Sequence, residues 1–90
     1  MTPTYRYHDR ILEALAGHGL IPRPETAPGT LRDAVRDLYL YEIRRLRTSL
    51  LAGRIPKQNY ANEVIELRKR YLLLSVPLDL WVSGKTEKVP

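Results

Sequence analysis

Two long segments with helical apolar spacing, joined by Gly53-Arg54-Ile55-Pro56, constrain the fold of this chain more than any other feature. Apolar residues recur three and four positions apart over residues 30–52 and again over residues 56–74, which predicts two helices. Gly53 suits the left-handed end of the first helix, and Pro56 suits the first turn of the second. Because the connection is so short, we expect the two helices to form an antiparallel hairpin.

The residues before this hairpin predict a short helix and a stiff connector. Residues 8–17 have helical apolar spacing, and two nearby glycines are expected to end that helix. Residues 20–30 contain three prolines, which block a helix and favour extended backbone. Thr30 and Asp33 then have the spacing of a capping box, which predicts that the long helix starts there.

The residues after the hairpin predict a closing turn. Pro77 breaks the last helix, and one further turn is expected to fold Trp81 back onto the core as an anchor. Residues 83–90 are expected to form a flexible tail. The sequence thus predicts an all-α fold with a short N-terminal helix, a Pro-rich connector, a long antiparallel helical hairpin and a short C-terminal turn. These elements are expected to form a single domain over residues 1–82.

The short first helix is expected to cover only part of the hairpin, because the long helix spans roughly 33 Å. The distal half would then be a bare two-helix arm whose apolar side chains need another surface, from a second copy or from a different protein. Leu40, Tyr41 and Leu73 lie outside the main apolar arcs. We expect the short helix, the connector or the Trp81 segment to cover them; if left exposed, they would extend an interface.

One charged pair is expected inside the hairpin. Glu42 falls near the middle of the apolar arc of the long helix, and Arg68 falls inside the arc of the last helix. Counted from the turn, they come within about one helical turn of each other, so we predict a buried Glu42–Arg68 ion pair. The hydroxyl of Tyr39 or Tyr71 is a candidate to complete the network. An ion pair that sets helix register is the favoured interpretation, and a small-ligand or metal site is the weaker one.

The charge of the protein is concentrated at the turn. The net charge is +5, and no Asp or Glu occurs between residues 43 and 62. The turn region is expected to be a basic-rimmed apolar surface that binds a partner, formed by Arg44, Arg47, Leu50, Leu51, Arg54, Ile55 and Lys57. Three interpretations remain open: solvated residues that offset the helix dipole, contact with an acidic protein surface, and contact with nucleic-acid phosphates.

No residue pattern in the sequence indicates catalysis, a cofactor or a metal. His8 and His18, at opposite ends of the short helix, do not have the spacing of a metal-binding pair. The sequence contains no Cys, no phosphate-binding glycine loop and no nucleophile elbow. We therefore expect no catalytic residue, no cofactor and no metal ion.

Composition and pattern together predict a cytoplasmic protein that works by binding. No apolar run is long enough to cross a bilayer, and the first residues lack the apolar region of a secretion signal, so no membrane contact is expected. The expected function is that of a small non-catalytic protein-interaction module, either a homodimer or an accessory subunit of a larger assembly. The alternative is a nucleic-acid-binding protein that contacts phosphates through the basic hairpin tip.

Overall fold

The computed structural model describes residues 3–83 and confirms the all-α class. Its helices are α1, Asp9–Gly17; α2, Pro28–Leu51; and α3, Lys57–Arg70. Two 3₁₀ turns follow, Leu72–Ser75 and Leu78–Leu80. In residues 3–83 no β-strand forms, although one isolated antiparallel bridge joins Tyr7 to Val82. Over the same residues, no helix combines the length and the apolarity that a membrane span requires. Most of the expected tail, residues 84–90, lies outside the described part of the chain.

Helices α1 and α2 end where their glycines predict. Gly19 and Gly53 have φ angles of 79° and 78°, the left-handed region that suits glycine. The N–H of Gly53 donates to the Leu50 carbonyl at 3.1 Å, and the N–H of Arg54 donates to the Ser49 carbonyl at 2.9 Å. This pair of bonds is a Schellman motif, and it places the backbone of Arg54 next to the last turn of α2.

The start of α2 differs from the prediction. The helix begins at Pro28, and the N-cap residue is Ala27, which makes no side-chain capping hydrogen bond. Proline suits this position because its missing N–H would have no helical partner and its φ is already helical. The predicted capping box is therefore wrong, and Asp33 instead pairs with Arg36 at 3.0 Å on the exposed surface.

Helix α3 ends at Arg70, earlier than the predicted end near Leu74. Tyr71 leaves the helical region, with φ −116° and ψ 38°, and the chain continues as a 3₁₀ turn. Successive side chains in a 3₁₀ turn are rotated by about 120°, whereas an α-helix rotates them by about 100°. Leu73 is buried at 5% exposure, in agreement with the expectation that another segment covers it, while Leu72 is 61% exposed.

The core lies at the end of the hairpin that is remote from the turn. Trp81, Leu15, Leu67 and Val35 are its fully enclosed side chains. The Trp81 indole N–H donates to the Val76 carbonyl at 3.0 Å, which confirms Trp81 as the anchor of the closing turn. All the buried side chains of the core are Tyr7, Ile11, Leu15, Leu31, Val35, Leu67, Tyr71, Leu73, Trp81 and Val82.

The distal half of the hairpin has no buried residue. No position from 36 to 66 is buried, although α2 and α3 pack against each other there. The reason is length, because α2 has 24 residues and α1 only 9, which correspond to about 36 Å and about 14 Å. The hairpin thus extends beyond α1, as expected, although Tyr39, Ile43 and Leu46 in its nearer part still pack against the core. We call residues 38–66 the distal arm.

Candidate functional site

The first candidate site is a polar cluster at the seam between α2 and the end of α3. The Tyr71 hydroxyl donates to one carboxylate oxygen of Glu42 at 2.8 Å. The Arg70 guanidinium lies 3.8 Å from the other oxygen. The Glu42 side chain is 36% exposed, so its charge is shared between these two partners and solvent. These contacts tie the middle of α2 to the end of α3, which fits an antiparallel hairpin.

The predicted Glu42–Arg68 pair is wrong, because the cation that reaches Glu42 is Arg70 and Arg68 is exposed. At about 100° per residue, Arg68 and Arg70 lie on opposite sides of the buried stripe of α3 that includes Leu67. Glu42 lies on the Arg70 side of that stripe. A half-exposed carboxylate with a hydroxyl donor also has no need of a fully buried cation. The proposed role of Tyr71 in completing the network is confirmed.

His18 joins this cluster through an aromatic contact. Its ring stacks on the Tyr71 ring, with centroids 4.4 Å apart and planes 15° apart. Tyr39 approaches the same ring edge-on at 5.4 Å. Since His18 is the C-cap residue of α1, the stack joins the short helix to the hairpin. Sequence spacing carries no signal for this contact, because the two residues are distant along the chain.

The environment of Tyr71 explains what the cluster does. Burial raises the pKa of Tyr71 to about 12, helped by the hydrogen bond to Glu42 and its negative charge and opposed by the charge of Arg70. A phenol with such a pKa stays protonated at neutral pH and keeps donating to Glu42. A general base would need a pKa near the working pH. The contacts of the cluster join α1, α2 and the residue that follows α3.

We expect a double-mutant cycle to find Glu42 coupled to Tyr71 and not to Arg68. Glu42→Ala and Tyr71→Phe should show a coupling of about 1.5 kcal/mol in the free energy of unfolding, as for a hydrogen bond to a charged group. Urea denaturation of the two single variants and the double variant measures it. Glu42→Ala combined with Arg68→Ala is the matched control and should be additive. A larger coupling to Arg68 than to Tyr71 would contradict the seam geometry.

The second candidate site is the hairpin tip, residues 44–57. The partner-binding residues predicted from the sequence all lie on or beside it. Leu51 is 81% exposed, and Leu50 and Ile55 are half-buried. The basic members of the set are exposed as well, namely Arg44, Arg47, Arg54 and Lys57.

One side of the tip forms a groove lined by three arginines. Arg44, Arg45 and Arg54 line an open surface groove of about 420 Å³, and its other lining residues are Tyr41, Thr48 and Ser49. We call this the tip groove. The Arg45 guanidinium lies 5.9 Å from the centre of the Tyr41 ring, within range of a cation–π contact.

The sequence-based set included Arg47, which does not line the tip groove, and omitted Arg45, which does. A usable signal existed, since positions 41, 44, 45 and 48 have the spacing of one helix face. No such signal indicated that Arg54 would line the groove, because the position of Arg54 depends on the Schellman turn at Gly53.

Apolar side chains also remain exposed along the distal arm. Leu40 is 39% exposed and Tyr41 is 58% exposed, so the segments expected to cover them leave them open. On α3, Ile65 is 49% exposed. With Leu51, these residues spread apolar surface along both helices of the arm.

Comparisons with known proteins and a search for metal-ligand clusters were both without a match. No protein-family model, no curated protein and no solved structure matches this chain. Over residues 3–83, no group of three or more His, Cys, Asp or Glu residues has the geometry to hold a metal ion.

Proposed function

We propose that the protein is a non-catalytic interaction module that binds another protein through its distal arm, as an accessory subunit of a larger assembly. The observation that supports this is the absence of any buried residue from 36 to 66, a stretch that includes exposed Leu40, Tyr41 and Leu51. Apolar surface left in water favours association with a surface that covers it. We propose a cytoplasmic location for this role, because the chain has no Cys and therefore no disulfide.

The exposed side chains are of the types that contribute most at interfaces. Full burial of a leucine side chain such as Leu51 stabilises a complex by about 1.5–3 kcal/mol. Tyrosine and arginine are enriched among the residues that dominate binding energy, and the arm presents Tyr41 beside Arg45. A partner that covers this surface would also supply the third layer of packing that α1 is too short to provide.

The charge of the arm favours a different protein over a second copy. Residues 43–62 contain five basic residues and no acid. In a symmetric dimer that pairs one arm with another, these charges would face each other, and like charges repel. An acidic surface on another subunit would instead attract them. We therefore propose a partner with an apolar patch surrounded by Asp and Glu.

Nucleic-acid binding is the second candidate function, and one observation favours it. Three arginines and the Tyr41 ring line a single groove, and guanidinium groups with an aromatic ring suit phosphates and bases. The exposed apolar residues Leu51 and Ile65 have no role in such a complex. The hairpin also lacks the perpendicular turn of a helix-turn-helix reader. An affinity that falls steeply with salt would distinguish this function from the first.

Substitution of Leu51 tests the proposed interface, with Leu80 as the matched control. Both leucines are exposed, at 81% and 58%, but Leu80 lies on the closing turn beside the core. Leu51→Ser and Leu80→Ser should each change the free energy of unfolding by less than about 0.5 kcal/mol. We expect Leu51→Ser alone to weaken partner binding, by about tenfold or more.

The partner is to be identified by site-specific photo-crosslinking in cells from position 51, compared with position 80. The protein captured only from position 51 is then purified, and calorimetry gives its affinity for the wild type and both variants. Equal affinities would contradict the proposed interface, as would the absence of a partner specific to position 51. Light scattering across concentration is the parallel measurement, and a dimer that Leu51→Ser dissociates would replace the accessory-subunit role with homodimerisation.

A further inference from the structure

We propose that the tip groove is a binding site for a small phosphate-bearing anion with two or more negative charges. Its side chains come from two turns of α2 and from the residue that follows Gly53. This site overlaps the basic part of the proposed protein interface, because Tyr41 and Arg45 belong to both, whereas the exposed leucines of the arm do not line the groove. Either activity can exist without the other.

The groove gathers cationic donors that no carboxylate of residues 3–83 neutralises. The ion pairs of the described residues join Arg36 to Asp33, Lys69 to Glu66 and Arg70 to Glu42, and none involves an arginine of the groove. Each guanidinium stays charged at every physiological pH and presents five N–H donors. Thr48 and Ser49 also line the groove, and each carries a hydroxyl group that can donate a hydrogen bond.

The fold rather than the sequence order brings the third arginine to the groove. Arg44 and Arg45 are successive residues of α2, and Arg54 lies beyond the end of that helix. The hydrogen bond from the Arg54 N–H to the Ser49 carbonyl, 2.9 Å long, holds its backbone against the last turn of α2. Because Gly53 has a φ of 78°, this turn is available to glycine with little strain.

The number of charges favours a phosphate over a carboxylate. A single carboxylate brings one negative charge and two oxygens, which leaves at least one of three guanidinium groups without a partner. A phosphate monoester or a pyrophosphate brings two or more charges and at least three oxygens, and arginine binds phosphate with two parallel hydrogen bonds.

The extent of the groove favours a small ligand over a nucleic-acid strand. Its α2 residues run from Tyr41 to Ser49, a rise of about 12 Å along the helix. Arg47 and Lys57, the other bases of the tip, are not among its lining residues. A strand that crosses the tip would need positive charge beyond this short length, whereas one or two phosphates fit within it.

Pyrophosphate is the probe for this site, measured by isothermal titration calorimetry and by amide chemical shifts at low salt. We expect saturable binding of one pyrophosphate per chain, with shifts centred on residues 41–54. Arg45→Gln and Arg54→Gln should each weaken binding by about tenfold, the size expected for loss of a hydrogen bond between charged groups. Arg10→Gln is the matched control, since Arg10 is an exposed arginine on α1 and the change in net charge is the same. It should alter the affinity less than about twofold.

Further results decide the proposal. Tighter binding of pyrophosphate than of acetate supports a phosphate site, and inorganic phosphate that competes with pyrophosphate supports it as well. Non-saturable binding, or an equal loss of affinity in Arg10→Gln, would overturn it. A single-stranded oligonucleotide that displaces pyrophosphate with a far higher and strongly salt-dependent affinity would overturn it in favour of a nucleic-acid surface. Thermal melts of each variant establish that the fold is intact.

Discussion

Trp81→Ala is expected to remove most of the stability of the fold at 25 °C. The Trp81 side chain is fully enclosed, and removal of such a ring costs about 3–5 kcal/mol. A chain of this length has a total stability at the lower end of about 5–15 kcal/mol, so the loss approaches the whole. Urea denaturation followed by far-ultraviolet circular dichroism measures the change.

The position of Trp81 adds to this effect, because the residue closes the core between the two ends of the domain. The N–H of His8 donates to the Trp81 carbonyl at 3.1 Å, and the neighbouring bridge joins Tyr7 to Val82. Leu80→Ala is the control. The Leu80 side chain, next to Trp81 in the sequence, is 58% exposed, so its removal should change the free energy of unfolding by less than about 0.5 kcal/mol. Equal stabilities of the Trp81 and Leu80 variants would contradict the anchor role.

The second large effect is expected at alkaline pH. Burial, helped by the nearby Tyr5, raises the pKa of Tyr7 to about 12. Burial and Glu42 raise the pKa of Tyr71 to about 12. In the unfolded chain a tyrosine has a pKa of about 10. The unfolded state therefore releases these protons first as the pH rises.

The sign of the effect follows from this order of deprotonation. Below about pH 10 both states keep the protons, and the stabilisation from the two tyrosines is fully present. Between about pH 10 and pH 12 the unfolded state binds fewer protons, so the free energy of unfolding falls as the pH rises. Each tyrosine contributes at most about 1.4 kcal/mol per pH unit to this fall.

Urea denaturation at a series of pH values from 9 to 12 checks the prediction. Tyr7→Phe and Tyr71→Phe should each halve the decrease in the free energy of unfolding between about pH 10 and pH 12, and the double variant should remove most of this decrease. Each single variant is a control for the other, because the two hydroxyls have different acceptors. The Tyr7 hydroxyl donates to the Thr26 carbonyl, and the Tyr71 hydroxyl donates to Glu42. An unchanged slope in the double variant would mean that other groups cause the alkaline loss.

Local chemistry explains why the hairpin and its ends were predictable. Apolar spacing identified the helices, and glycine identified the ends of α1 and α2 because left-handed backbone is strained for other residues. The start of α2 was misplaced because two local signals competed, the capping box at Thr30 and proline at the first helical position. The structure uses the proline.

Errors at the seam have a different cause, which is the geometry of helix termination. After the change from α to 3₁₀ at Tyr71, Leu72 points outward and is 61% exposed. Helical-wheel reasoning assumes a constant rotation per residue, so it misplaces side chains beyond such a change. It also placed Arg68 in the seam, where the structure has Arg70. The stack of His18 on Tyr71 had no local signal at all.

Composition and spacing were sufficient for three properties of this protein: its all-α class, its glycine-terminated helices and a basic tip without acids. These follow from the preferences of single residues and their near neighbours along the chain. The partner of Glu42, the enclosure of Trp81 and the gathering of Arg44, Arg45 and Arg54 around one groove were decided in the folded molecule. Each of these depends on how elements that are distant in sequence pack together, or on how a turn changes the direction of the chain. Helical spacing alone predicts neither the packing nor the direction after a turn.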